Sequence, residues 1–244
     1  MADTIEFDAG KETLKAYIAY AADPSAPGVV MAPAIAGVNP YVLGTADRLA
    51  EAGFTTLLVD YYSREGQAPD VSSPQKIGEA VSGLSDPRTL SDIKYAAEYL
   101  RRDDRVNEDS IGSFGFCIGG MYAYLAACED AGLSAAVDYY GAIQYTSTSD
   151  NKPISPLDRA EHLSAPLLAH FGDFDRLISA DDIAAFRGAL QEHQKPYEMF
   201  VYGGAPHAFD EDFRPAVYRP AASQEAWQRT ITFLDWHLKH QSSR

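Results

Sequence analysis

The chain has 244 residues, of which 46% are hydrophobic, so it is long enough to bury one sizeable core. Its formal net charge of −15 argues against a nucleic-acid backbone or an anionic membrane surface as partner. The sequence opens without a basic-then-apolar signal pattern, no apolar run approaches about 18 residues, and there are only two cysteines. We therefore expect a cytoplasmic protein that does not associate with a membrane.

The first part of the chain alternates strand and helix patterns. Two short alternating segments, TIEF and LKAYIAY, predict a β-hairpin. The apolar run GVVMAP at 28–33 predicts a strand buried on both faces. Helical spacing follows over 40–54, with a glycine near its end as a stop signal, and TTLLVDYY at 55–62 predicts a second buried strand.

The alternation continues to the end of the chain. Residues 63–85 are rich in Gly, Ser and Pro and predict an irregular surface segment, after which Asp86 begins a helix that runs to about Leu100. Further strands are predicted at SIGSFGF, LSAAVDYYGA, APLLAHFG and PYEMFVY, with helices between them and a closing amphipathic helix over 221–240. This order predicts an α/β fold in one domain, 1–244, with a mostly parallel sheet and helices on both faces.

Active residues in such sheets collect at the carboxyl ends of strands, and Cys117 lies at one of them. In IGSFGFCIGG, glycines stand two residues before and two after this cysteine, between a strand and a helix. That pattern is typical of a nucleophile elbow, with cysteine where serine is commoner. The helix N-terminus also favours a thiolate. The alternative is a small buried thiol; Cys128 lies roughly 16 Å further along the predicted helix, beyond disulfide reach.

A thiolate nucleophile benefits from a histidine and from a carboxylate that orients it. His207 follows the last strand in a Gly/Pro loop and is the favoured base, whereas His170 lies inside an apolar run and is more typical of a core. Asp173 and Asp175 follow the strand between them. The order Cys117, Asp175, His207 is the nucleophile, acid and histidine order of α/β hydrolases.

Metal and nucleotide sites find little support in the sequence. Helix-spaced H-E-x-x-H and paired C-x-x-C patterns are absent, as are G-x-G-x-x-G around the cysteine and G-x-x-x-x-G-K-[ST] anywhere. We expect a hydrolytic site that needs no metal and no cofactor.

Five segments together carry a resemblance to a known family: APAIAGVN, GFCIGG, YYG, FGDFD and PHAF. The sequence resembles the dienelactone hydrolase family, the cysteine branch of the α/β hydrolases, over nearly its whole length. The resemblance implies the α/β-hydrolase fold and hydrolysis of small esters or lactones, of carboxymethylenebutenolidase type or related. It implies Cys117 as nucleophile, Asp175 as acid, His207 as base, and the backbone N–H groups of Ile35 and Ile118 as oxyanion hole.

Two positions depart from the best-studied branch of that family. Its glutamate that helps generate the thiolate is here Ala34, so Cys117 should depend on His207 and the helix terminus for activation. Its arginine that holds the substrate carboxylate is here Glu211. Arg64, after a strand, is the predicted compensating cation, and the aromatic side chains expected near the substrate are Tyr140 and Phe116.

Two other functions stay open for the same residues. One is a thioesterase or acyl transferase that uses the same three side chains. The other is a binding or sensing protein that keeps a reactive thiol but does not turn over. The expected partner in the first interpretation is a small-molecule ester or lactone, and the sequence pattern does not specify an oligomeric state.

Overall fold

The computed structural model describes residues 2–129 and 131–240, and these form one eight-stranded sheet. The strands are β1 (Asp3–Asp8), β2 (Thr13–Ala19), β3 (Ala26–Ala32), β4 (Thr55–Val59), β5 (Val106–Phe116), β6 (Ala135–Tyr139), β7 (Leu167–Gly172) and β8 (Tyr197–Tyr202). Their order across the sheet is β1-β2-β4-β3-β5-β6-β7-β8. The first two pairings, β1 with β2 and β2 with β4, are antiparallel, and the other five are parallel. The predicted hairpin and mostly parallel sheet are confirmed.

Helices cover the sheet. They are α1 (Pro40–Glu51), α2 (Pro74–Gly83), α3 (Asp86–Arg102), α4 (Ile118–Cys128), α5 (Ala180–Glu192) and α6 (Pro220–Leu234), with a 3-10 helix at Pro156–His162 and a π-helical turn at Asp235–Lys239. Among the described residues none of these helices is long and apolar enough to cross a membrane.

Two sheet positions show that helices lie on opposite faces. A Cβ at Gly28 would point at Ile111 and at Leu100 of α3, whereas a Cβ at Gly112 would point at Leu238 of the π-helical turn. Gly112 follows Ile111 directly in β5, and successive strand residues face opposite sides of a sheet. Helix α3 and the C-terminal helical segment therefore cover different faces, as predicted.

Helix α4 has no solvent-facing side. Every residue from Ile118 to Cys128 is buried, because the helix contacts the sheet on one side and α3 and the 3-10 helix on the other. Such a helix is apolar all round rather than amphipathic, which its sequence IGGMYAYLAAC reflects.

The predicted surface segment 63–85 contains a helix that the sequence pattern does not reveal. Helix α2 begins after Ser73, whose hydroxyl accepts from the Lys76 N–H at 3.3 Å, with Pro74 at its first position. None of its residues is buried. Because the helix lies on the surface without a buried stripe, the hydrophobic spacing that predicts the other helices is missing.

The sheet changes direction of growth at β3. The chain passes from β3 to β4 on one side, while β5 lies on the other side of β3. In open α/β sheets a crevice forms at such a switch point, outside the carboxyl ends of the strands. Ala32, the last residue of β3, is the register partner of Gly115, so the segment that follows β3 and the segment around Cys117 meet at this crevice.

Candidate active site

A tight bend joins β5 to α4 at Cys117. A Cβ at Gly115 would lie 2.1 Å from the Gly119 carbonyl oxygen, and a Cβ at Gly119 would lie 2.1 Å from the Ala32 carbonyl oxygen. No residue with a side chain fits at these two positions without a backbone shift. The glycines on either side of the cysteine therefore allow strand β5, helix α4 and the end of β3 to approach one another closely.

Cys117 itself has φ 55° and ψ −124°, in the region that favours glycine. Such a conformation costs about 1–3 kcal/mol and persists only where surrounding contacts hold it. Here the Cys117 N–H donates to the Tyr139 carbonyl at 2.9 Å, and its carbonyl accepts from the Met121 N–H at 3.2 Å. The bend leaves the side chain partly exposed at the wall of a cleft.

His207 and Asp175 lie in hydrogen-bond contact although 31 residues separate them in the sequence. His207 Nδ1 lies 2.8 Å from Asp175 Oδ2, and the Asp175 carboxylate is fully buried. Its other oxygen accepts from the Leu177 N–H at 2.8 Å. Because a carboxylate oxygen accepts, the Nδ1 atom carries a proton and donates it to this hydrogen bond.

The pKa of His207 reflects this environment. Burial lowers the pKa, but the charge of Cys117 and the hydrogen bond to Asp175 outweigh burial and raise it from 6.5 to about 10. Nε2 is buried and makes no hydrogen bond of ordinary geometry to the described residues, so the link between His207 and Cys117 is primarily electrostatic. The Cys117 side chain and the Asp175 carboxylate therefore both favour the protonated form of His207.

The pKa of His170 is shifted in the opposite direction to that of His207. His170 lies in the core, as the apolar run around it in the sequence predicts. Its Nδ1 lies 2.9 Å from the Tyr202 hydroxyl and its Nε2 lies 3.1 Å from the Thr230 hydroxyl. Full burial lowers its pKa to about 3, so the ring stays neutral. It is a hydrogen-bonded structural histidine.

Two backbone N–H groups at the crevice lack protein acceptors. Ile118 is the first residue of α4, and Ile35 follows β3 in a loop closed by a hydrogen bond from the Gly37 N–H to the Ala34 carbonyl at 2.9 Å. Neither the Ile35 nor the Ile118 N–H donates to any acceptor within the described ranges. The Tyr62 hydroxyl donates to the Ile35 carbonyl at 3.0 Å and fixes the loop's orientation. Among the described residues, both N–H groups therefore remain unpaired at the crevice.

These groups border a cleft of about 690 Å³ whose lining includes Cys117, His207 and Ile35. Phe116 lines it, as predicted from the sequence. Tyr140 does not: it is completely buried, with its ring 5.1 Å from that of His207 in an edge-on arrangement. Tyr140 therefore supports the histidine rather than forming a wall of the cleft.

The position of Arg64 does not match the prediction that it compensates for the missing substrate-binding arginine. Its two terminal nitrogens each lie 2.7 Å from the Asp92 carboxylate, and its Nε donates to Glu12. Arg64 is not among the residues that line the cleft. Its guanidinium is committed to these ion pairs, which gives it a structural role.

Several cleft residues escape sequence reasoning because they lie outside strand ends. Tyr41 stands in the first turn of α1, and its ring contacts that of Phe116 at 5.3 Å. Exposed apolar side chains form the rim of the cleft, notably Phe174, Leu177 and Phe213. The sequence did carry a signal for Phe174 and Leu177, because both lie beside Asp175 on the turn after β7. Over residues 2–129 and 131–240, no cluster of three or more His, Cys, Asp or Glu side chains is arranged to hold a metal ion.

The chain matches the family model described as "Dienelactone hydrolase family" over residues 14–238. It is 47% identical over 212 residues to a Bradyrhizobium protein named "Probable 2-oxo-3-(5-oxofuran-2-ylidene)propanoate lactonase", covering 87% of this chain and 84% of the relative. It is 32% identical over 221 residues to a Salmonella typhimurium protein named "Putative carboxymethylenebutenolidase", covering 90% and 80% of the two chains.

Solved structures give the same result. A crystal structure of a "Putative Dienelactone Hydrolase" from Klebsiella pneumoniae is 30% identical, has a TM-score of 0.88, and is matched over 96% of this chain and 98% of its own. The α/β-hydrolase fold that the family resemblance implied is confirmed.

Proposed function

The chain belongs to the dienelactone hydrolase family of lactone and ester hydrolases, and we propose that it opens small unsaturated lactones by covalent catalysis at Cys117. One observation carries this proposal. A cysteine held at positive φ on a strand-to-helix bend shares a cleft with a histidine whose Nδ1 lies 2.8 Å from a buried carboxylate. That arrangement supports Cys117 as nucleophile, His207 as base and Asp175 as the orienting acid.

In the first half of the proposed reaction, the Cys117 sulfur forms a bond to the lactone carbonyl carbon. His207, which holds the thiol proton, gives it to the ring oxygen as the carbon–oxygen bond of the ring breaks. The products of this half are a thioester on Cys117 and an enol that converts to its ketone. Asp175 keeps the imidazole oriented and stabilises its charged form.

In the second half, His207 takes a proton from water, and the resulting hydroxide attacks the thioester carbonyl. The carbon–sulfur bond breaks, the acid is released and the thiolate is restored. Both halves pass through a tetrahedral intermediate with a negative oxygen. We assign its binding to the N–H groups of Ile35 and Ile118, which have no acceptor within the described residues, and each such donor contributes about 3–4 kcal/mol to catalysis.

Activation of the thiol in this chain needs no carboxylate at the position of Ala34, which lines the cleft with a methyl group. The positive end of α4 and the charged His207 supply the stabilisation instead. We therefore propose that His207 and the N-terminus of α4, rather than a carboxylate from the loop after β3, activate Cys117.

The proposed substrate class follows from the relative that shares 47% of its residues, whose name describes a lactone with an oxofuran ring and an oxoacid side chain. A cleft of about 690 Å³ with aromatic walls accommodates a compound of that size. The loss of ultraviolet absorbance measures the opening of such a conjugated lactone ring.

The test compares Cys117→Ala with Cys128→Ala, a matched removal of the second thiol. Cys128 is buried in α4, and burial raises its pKa to about 12, so it stays a neutral thiol away from the cleft. We expect Cys117→Ala to abolish turnover and Cys128→Ala to keep it. Mass spectrometry after an acid quench should find the acyl adduct on Cys117.

Full lactone hydrolysis by Cys117→Ala would refute the proposal. Alkylation of Cys117 by iodoacetamide, together with no turnover of any lactone, ester or thioester by the unchanged protein, would favour a binding or sensing role.

A further inference from the structure

The cleft is more positive than the rest of the molecule. The chain as a whole carries a net charge of −15, which opposes long-range attraction of anions. Among the Arg, Lys, Asp and Glu side chains that line the cleft, however, arginines outnumber acids. The arginines are Arg176, Arg214 and Arg219, and the acid is Glu211. The charged side chains that line the cleft are therefore net positive, although the chain as a whole is net negative.

Two of the three arginines already have acceptors. Arg214 donates to the Glu211 carboxylate at 2.7 Å. Arg219 donates to the carbonyls of Gly204 at 3.1 Å and Tyr218 at 3.0 Å. Arg176 makes no hydrogen bond and no ion pair with the residues that the structure describes. Its guanidinium, with five N–H donors in a planar fork, is available to a ligand.

Arg176 is also held close to the reacting groups through the backbone. It follows Asp175 directly, and the Asp175 carboxylate that orients His207 accepts from the N–H groups of Leu177 at 2.8 Å and Ile178 at 3.3 Å. The same carboxylate thus fixes the imidazole and the turn that presents Arg176. Arg176 is therefore linked to His207 through one hydrogen-bonded turn.

The surroundings of Arg176 fit a planar, unsaturated molecule. Its neighbours on the turn, Phe174 and Leu177, are 62% and 73% exposed, and Phe213 across the rim is 56% exposed. All three line the cleft with Arg176. Large exposed apolar side chains beside an unpaired cation match a ligand with a flat apolar body and a negative end.

We propose that Arg176 binds the carboxylate of the lactone substrate and selects anionic lactones over neutral ones. The proposal rests on the lactonase function proposed above and names the residue that decides its substrate class. Arg176 takes the role that the sequence pattern suggested for Arg64. Glu211 does not cancel its charge, because Arg214 already neutralises that carboxylate.

The first experiment measures kcat/KM for an oxofuranylidene carboxylate and for its methyl ester. We expect Arg176→Gln to reduce the ratio of the anionic to the neutral value about tenfold, mainly through KM, and Arg176→Lys to restore part of it. The control is Arg187→Gln, which removes the same charge from an exposed position on α5 outside the cleft. Equal ratios for Arg176→Gln and Arg187→Gln would overturn the proposal.

The second experiment does not depend on turnover. In the Cys117→Ala background, titration calorimetry compares 2-furoate with the uncharged 2-furamide. We expect tighter binding of 2-furoate and an approximately tenfold increase in its Kd with Arg176→Gln but not with Arg187→Gln. If the protein with Cys117 intact hydrolyses no lactone, that result would support the carboxylate site and refute the lactonase function. An unchanged Kd for 2-furoate in an active lactonase would refute the carboxylate site alone.

Discussion

Replacement of Gly119 by alanine tests whether the bend at Cys117 depends on close backbone approach. The new Cβ would lie 2.1 Å from the Ala32 carbonyl oxygen and 2.5 Å from that of Pro33. Both atoms belong to backbone, so neither moves away as a flexible side chain would. To restore a contact of 3.0 Å from the nearer atom, the end of β3 and the start of α4 must separate by about 0.9 Å.

That separation affects both stability and activity. Overpacking of this kind costs about 1–3 kcal/mol, and each kcal/mol lowers the Tm of a chain of this size by about 2–4 °C. The shift also separates the N–H groups of Ile35 and Ile118. Ile35 lies just after the end of β3, and Ile118 lies just before Gly119. Misplacement of catalytic groups by about 1 Å lowers rates by about 10²-fold.

The control is Gly188→Ala, in the interior of α5, where a Cβ meets nothing within 4 Å. Because alanine is a better helix former than glycine, we expect this variant to be more stable by up to about 1 kcal/mol. Thermal unfolding followed by circular dichroism and kcat/KM for an activated lactone measure both effects. A Gly119→Ala variant with the Tm and kcat/KM of the unchanged protein would refute the steric argument.

Three further predictions concern the buried charges. Asp175→Asn replaces the carboxylate that accepts the His207 Nδ1 proton with a neutral amide and should lower kcat about 10³-fold or more, with an unchanged circular dichroism spectrum; a loss below about tenfold would count against the assigned role. Folding raises the pKa of His207 from 6.5 to about 10. The contribution of this histidine to the free energy of unfolding is therefore complete below about pH 6.5 and is lost as the pH rises through about 10. NMR titration should show the ring protonated to about pH 10 and, in Cys117→Ala, only to a clearly lower pH; the same value in both proteins would contradict the pairing. Lys152→Met leaves buried Asp86 without its cation, 2.5 Å away, and should cost about 3–5 kcal/mol of unfolding free energy, whereas Lys76→Met at the exposed pair with Asp70 should change it little; equal effects in urea unfolding would refute this.

The regular elements were predictable where burial left a pattern in the sequence. Strand β3, buried along its whole length, reads as a continuous apolar run, and the glycines beside Cys117 mark the bend. Helix α2 was not predicted, because a helix without buried residues has no hydrophobic period to detect. Its cap, Ser73 followed by proline, was the one local signal available.

The sequence by itself determined the order of strands and helices, the bend at Cys117, and the candidates Asp175 and His207. These follow from local chemistry: apolar runs, glycines where backbones approach, and polar residues directly after strands. The same local rules do not decide which distant side chains meet. Arg64 and Arg176 both follow strands, yet Arg64 is paired with Asp92 and Glu12, while Arg176 lines the cleft and has no partner among the described residues. Only the tertiary structure decides between them, because a guanidinium binds the carboxylate that folding places beside it, and sequence distance does not specify that neighbour.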